Sequence, residues 1–220
     1  MIKAVILDMD GTMFDTERLS AEGWKKAGET LGCSDVMKIL EQVIGLTAAA
    51  EQKLFLKTYG PDFPFEDFRK IGNDYFKDYI KQNGVPVKDG LFELLDYLTQ
   101  KGYKIAVATS SSRETTMRHF KNTKITGYFD QIICGDMLEK SKPDPDIYLK
   151  ASQALQISQE ECMALEDSPN GILSAYRAGM KTVMVPDMVK PNPELEKMLV
   201  ACVPNLHDII HVLERLTGEN

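Results

Sequence analysis

Residues 2–8, IKAVILD, are an almost unbroken apolar run that ends in acid, and the chain continues DMDGTMFDT (8–16). A β-rich run with so little polar alternation belongs to a strand buried on both faces, and such strands sit in parallel sheets with helices above and below. Further short runs of the same kind recur at 103–108 (YKIAVA), 129–134 (FDQIIC), 162–165 (CMAL) and 181–185 (KTVMV). Segments with helical spacing separate them, at 90–101, 113–121, 145–155, 169–178 and 205–216. Strands alternating with helices predict an α/β fold, a Rossmann-like parallel sheet covered on both sides.

One interval breaks the alternation. From Thr16 to Asn83 the pattern reads as helices throughout, Glu17–Leu31, Val36–Val43, Ala48–Tyr59 and Phe65–Gln82, punctuated by Gly32-Cys33-Ser34-Asp35 and Gly60-Pro61-Asp62-Phe63-Pro64. The expected organisation is therefore a core of residues 1–15 and 84–220 with an inserted helical cap at 16–83. Ligands of open parallel sheets bind beyond the carboxyl ends of the strands. Asp8 and Asp10 stand at such an end, just before the insertion.

Bulk composition narrows the classes. With 220 residues, 43% hydrophobic and 27% charged, the chain can bury a core. A net charge of −7 disfavours general nucleic-acid binding. Cys33, Cys134, Cys162 and Cys202 form no CxxC pair and read as reduced thiols. Neither a signal-peptide pattern nor a membrane-length apolar run is visible, so the expectation is a cytoplasmic monomer without nucleic-acid or membrane partners.

Two adjacent carboxylates repel, and a divalent cation such as Mg²⁺ is the usual remedy. Alone, Asp8 and Asp10 could simply open a turn. Three more stretches share their position after a strand run. Val107-Ala108-Thr109-Ser110-Ser111-Ser112 brings hydroxyls to a helix start, which suits an anion or an ordinary cap. Ser141-Lys142-Pro143-Asp144-Pro145 sets a lysine directly before a proline that biases it toward extended geometry, with Pro145 suited to a helix start; a lysine held so suits a phosphate. Leu165-Glu166-Asp167-Ser168-Pro169-Asn170-Gly171 adds two acids entering another helix. Together they supply metal ligands, a nucleophile, a hydroxyl and a cation, the components of phosphoryl transfer.

These four stretches, DMDGT (8–12), ATSS (108–111), SKPDP (141–145) and LEDSPNG (165–171), resemble the motifs of the haloacid dehalogenase (HAD) superfamily, and the insertion resembles its small helical cap. The resemblance implies that Asp8 attacks phosphorus and that Asp10 serves as acid and then base. It implies that Thr109, Ser110 and Lys142 hold the phosphoryl group. Mg²⁺ would be bound by Asp8, the Asp10 carbonyl and Asp167, with Glu166 close by. The stretches DTERL (15–19), KPDPDIYL (142–149) and RAGM (177–180) are similar to the pseudouridine-5′-phosphatase-like and sugar-phosphatase group, so the expected substrate is a small sugar phosphate or nucleotide-like phosphate. The alternative is a β-phosphoglucomutase-type isomerase. Such mutases carry a cap His where Ser20 stands, and an Arg where Gly45-Leu46-Thr47 is followed by Ala48; both departures favour a phosphatase. Glu17 and Ser20 are candidate substrate contacts from the first cap helix. His207 and His211 are four residues apart without a third ligand, and read, like His119, as packing or surface residues.

Overall fold

The computed structural model describes residues 1–33, 35–43 and 48–218, and the side chains of these except 40–43 and 48–50. The short runs become strands β1 (Ala4–Leu7), β2 (Lys104–Thr109), β3 (Gln131–Cys134), β4 (Cys162–Glu166) and β5 (Lys181–Met184), joined by a sixth, β6 (Leu199–Cys202). They form one parallel sheet of order β3-β2-β1-β4-β5-β6. Every residue of β1 is buried, and so is every residue of β4, as the missing alternation requires. The core is therefore the Rossmann-like parallel sheet read from the sequence.

β6 and the four-residue helix before it were not anticipated. β6 is an edge strand whose residues alternate between half-buried and exposed, so it lacks the apolar signature of the central strands. The helix at Pro193–Glu196 is too short for periodicity; its start is fixed by Asn192, which accepts from the backbone of Glu194 and Leu195 at 3.0 Å each.

The chain divides into two compact units, Met1–Asp15 with Val87–Asn220, and Thr16–Pro86. The second holds helices α1 (Thr16–Leu31), α2 (Val36–Val43), α3 (Ala48–Tyr59) and α4 (Phe65–Asn83). Its interior is aromatic: Trp24 meets Phe55 and Phe68 edge-on with ring centroids 5.3 and 5.4 Å apart, and Phe63 stacks on Phe55. Arg69 on α4 pairs with Glu51 on α3 at 2.8 Å. The segment Gly45–Thr47, on which one of the mutase arguments rests, lies outside the described residues.

In the first unit, helices α5 (Leu91–Gln100), α6 (Arg113–Thr123), α7 (Asp146–Leu155), α8 (Pro169–Arg177), α9 (Pro193–Glu196) and α10 (Asp208–Thr217) accompany the strands. The chain leaves this unit after Asp15 and returns at Val87, and both ends are tied down inside it. Phe14 bridges to Val87 in antiparallel fashion, and the Lys88 N–H donates to the Met13 carbonyl at 3.0 Å. The Lys88 ammonium lies 2.8 Å from Asp187, whose side chain is wholly buried beyond β5, and 3.5 Å from Asp15. Taking the cation from a buried carboxylate is costly. Because Lys88 is partly exposed, Lys88→Ala is expected to lower the unfolding free energy by about 2 kcal/mol, measured by urea denaturation. An unchanged midpoint and slope would show that the tie carries no stability.

Candidate active site

Strand register sets the site. Leu7 is paired with Val107 on one side and Leu165 on the other, so the next residues, Asp8, Ala108 and Glu166, stand side by side. The Asp8 N–H prolongs the ladder by donating to the Leu165 carbonyl at 3.0 Å. Beyond Asp8 the chain folds tightly on itself: Met13 and Phe14 donate to the Met9 carbonyl, and Gly11 donates to Phe14. Gly11 has φ +85°, and a Cβ there would fall 2.3 Å from Asp167 Oδ2, so only glycine fits. Thr12 Oγ1 donates to Asp167 Oδ1 at 3.4 Å. The turn thus lies against the acid that follows β4.

At the centre stands Lys142, which precedes a cis peptide bond to Pro143. Its ammonium donates to Asp8 Oδ1 at 2.5 Å, Glu166 Oε1 at 2.6 Å and the Ala108 carbonyl at 3.0 Å. These groups are nearly sealed from water, with side-chain exposure of 7% for Lys142, 10% for Asp8 and none for Glu166. Burial alone would lower the lysine pKa, but the charges of Asp8 and Glu166 outweigh it and hold the ammonium above its ordinary value. For Asp8 the balance runs the other way. Burial raises its carboxyl well above the usual range, Lys142 opposes this, and Glu166 and Asp10 add to it. One ammonium does not neutralise the acids around it.

Oxygens of Asp8, Glu166 and Asp167 lie within 4.8 Å of one another. A buried set of carboxylate oxygens in excess over its lysine is the donor chemistry of Mg²⁺ and similar hard cations. The residues therefore fit a divalent ion. The Asp10 carboxylate is turned elsewhere: Ser111 Oγ donates to its Oδ2 at 2.7 Å and Thr109 Oγ1 stands 3.5 Å from the same oxygen. The Ser111 N–H also donates to Thr109 Oγ1 at 3.0 Å.

The structure thus brings Asp8, Asp10, Thr109, Lys142, Glu166 and Asp167 together at the carboxyl ends of β1, β2 and β4. Ser110 is exposed, and it is Ser111 that reaches Asp10. The signal for Ser111 was the alternation Thr109, Ser110, Ser111, in which the first and third residues share a side. Glu17 and Ser20 are half-buried on α1 in the other unit. Tyr148 went unnoticed; its hydroxyl donates to Glu166 Oε1 at 2.6 Å. His207 and His211 stand beside Asp89 and Glu214 at 3.7 and 3.3 Å, and both are substantially exposed.

The sequence profile of the family described as haloacid dehalogenase-like hydrolase matches residues 5–185. A phosphorylated carbohydrates phosphatase of Thermotoga maritima is 27% identical over 186 residues, covering 83% of this chain and 84% of that protein. CbbY from Rhodobacter sphaeroides, crystallised with phosphate, superposes with a TM-score of 0.77 at 25% identity, covering 95% of this chain and 96% of that one. A β-phosphoglucomutase from Clostridium difficile gives 0.76 at 23% identity, covering 99% and 98%, a likeness of fold.

His119 on α6 supports the turn from beneath. It is fully buried, edge-on to Phe14 at 5.8 Å between ring centroids. Burial lowers its pKa; the Asp10 charge opposes this and Arg118 adds to it. Below about pH 6.5 the unfolded chain takes up a proton that the native imidazole resists. Stability should therefore fall as pH drops from 6.5, by up to about 1.4 kcal/mol per pH unit from this group. Urea melts at pH 7.5 and 5.5 should show a smaller acid loss in His119→Gln than in the parent protein; equal losses would contradict the assignment.

Proposed function

This chain belongs to the haloacid dehalogenase-like hydrolases, and from that membership we propose that it is a Mg²⁺-dependent phosphatase acting on a small phosphomonoester through an aspartyl-phosphate. The observation that carries the reading is the Lys142 ammonium held on Asp8 Oδ1 and Glu166 Oε1, with Asp10 and Thr109 beside them. Its substrate class is a sugar phosphate or nucleotide-like phosphate.

In this reading a carboxylate oxygen of Asp8 attacks phosphorus, and the bond from phosphorus to the ester oxygen breaks. Asp10 gives its proton to that departing oxygen, and the product leaves as an alcohol. Asp10, now a carboxylate, takes a proton from water as the water attacks the acyl phosphate, releasing inorganic phosphate and restoring Asp8. The division of labour agrees with the surroundings. Asp8 is buried and oriented by Lys142, whereas Asp10 is half-exposed and oriented by Ser111. Thr109 and Lys142 supply donors for phosphoryl oxygens.

Asp8, Asp167 and the Asp10 carbonyl would hold Mg²⁺, with Glu166 close by. The ion offsets carboxylate charge and polarises the phosphoryl group when bound. Glu166 already accepts from Lys142 and Tyr148 on Oε1 and from Ser168 on Oε2, which holds it in place and favours an indirect role. The unit Thr16–Pro86 is assigned as a cap that sets substrate choice, with Glu17 and Ser20 as candidate contacts. The Thermotoga phosphatase, matched over 83% of this chain, supports the phosphatase reading, and the cap residue Ser20, where such mutases carry His, favours it over a mutase.

Phosphate release should be measured over a panel of sugar and nucleoside monophosphates, with Mg²⁺ and with EDTA. β-Glucose 1-phosphate with a trace of the bisphosphate serves as the mutase control. The expected result is Mg²⁺-dependent phosphate release without glucose 6-phosphate. Asp8→Asn should keep a cooperative thermal transition and lose turnover by on the order of a thousandfold or more. Conversion to glucose 6-phosphate with little free phosphate, or near-normal turnover in Asp8→Asn, would overturn the proposal.

A further inference from the structure

Tyr148 lies in the first turn of α7, three residues after Pro145, and its side chain is wholly buried. The cluster around it includes the small residues Ala4, Ala106, Ala108 and Ala164 of β1, β2 and β4. A phenylalanine would fill that space equally well, and its ring would still face the Lys142 ammonium, which lies 5.3 Å from the ring centroid. The hydroxyl is what a phenylalanine lacks. A buried phenol needs a partner, and this one donates at 2.6 Å to Glu166 Oε1, the oxygen that also receives Lys142.

Glu166 is thereby immobilised. Oε1 accepts from Lys142 and Tyr148, and Oε2 accepts from Ser168 Oγ at 3.2 Å. On the remaining side lies Gly171, where a Cβ would come 2.0 Å from the carboxylate, so glycine is required for the acid to sit there at all. A lysine has three N–H donors. Those of Lys142 go to Asp8 Oδ1, the Ala108 carbonyl and Glu166 Oε1. To reach a phosphoryl oxygen, Lys142 must release one of them. The Ala108 carbonyl belongs to a central strand and Glu166 is locked by its donors, which leaves the bond to Asp8.

We propose that Tyr148 is a positioning residue: its hydroxyl fixes Glu166, and Glu166 fixes Lys142, so that substrate draws the ammonium from Asp8 and from no other partner. The proposal rests on the phosphatase reading for its consequence in turnover, while the placement of Lys142 can be read without substrate. Handing over that bond releases the Asp8 oxygen as the phosphoryl group arrives, which couples binding to the freeing of the nucleophile.

Tyr148→Phe removes one oxygen and keeps the ring. In the substrate-free protein, the Lys142 ammonium ¹H–¹⁵N signal, assigned by its loss in Lys142→Arg, is expected to be protected from exchange in the parent and broadened away in Tyr148→Phe. With the best substrate of the panel, kcat should fall about tenfold, the size of one hydrogen bond to a charged group, and KM should change less. In a Glu166→Ala background, which leaves no side-chain acceptor, the same tyrosine substitution should change kcat by less than twofold, because the path from Tyr148 to Lys142 runs through that carboxylate. A Lys142 signal unchanged by the loss of the hydroxyl would overturn the proposal, and so would an equal drop in kcat in both backgrounds. If Tyr148→Phe does not fold, Glu166→Ala with the tyrosine intact must lose the protected Lys142 signal, and retention would be decisive against the idea. A parent protein that releases phosphate from nothing defeats the phosphatase reading alone; the lysine signal still decides the role of Tyr148.

Discussion

The site depends on one buried ammonium among more acids than it can neutralise. Lys142 lies within hydrogen-bonding distance of Asp8 and Glu166, with Asp167 close by and Asp10 acting on Asp8 through its charge. At this burial such charges are weakly screened, so each strongly affects its neighbours. The lysine stays charged because the acids demand it. The residual negative charge on the carboxylates is what makes a divalent cation chemically apt. Both properties follow from the same packing.

That packing is a product of the sheet. Parallel strands end on one edge, and the register of β1 with β2 and β4 puts Asp8 between Ala108 and Glu166. The order β3-β2-β1-β4-β5-β6 makes β1 the strand at which successive connections change direction, the usual place for a ligand crevice in such sheets. Small residues serve the polar ones. Gly11 lets the turn after β1 close over Asp167, and Gly171 lets α8 begin against Glu166. The serine that caps α8 accepts from Gly171 N–H and donates to Glu166, so helix start and site are built from one side chain.

Much of this was legible in the sequence, for physical reasons. Central strands advertise themselves as apolar runs, and acids or hydroxyls at their ends mark the functional edge. The family was legible because four separate stretches share that placement. What escaped notice involves contacts between residues distant in the chain. β6 escaped because an edge strand has one neighbour and a mixed face. Tyr148 escaped because an aromatic residue early in a helix reads as core, and only the fold shows its hydroxyl meeting an acid 18 positions away. Lys88 and Asp187 are 99 residues apart and carry no local pattern that would pair them. Ser111 was within reach of a period-two reading of the serine run, whereas the helical insertion disclosed its composition without disclosing which side chains face a ligand.

The claim on which the account turns is that Asp8 carries the phosphoryl group, and it can be tested by trapping. With p-nitrophenyl phosphate the leaving group needs no acid, so an Asp10→Asn variant should form the acyl phosphate and lack the base to hydrolyse it. Quenching that reaction with acid, reducing with sodium borohydride and mapping the peptides would locate the phosphorylated residue. The account predicts a burst of nitrophenolate near one equivalent per site, with Asp8 converted to homoserine. A burst with an unmodified Asp8, or with the reduced residue elsewhere in the chain, would contradict it.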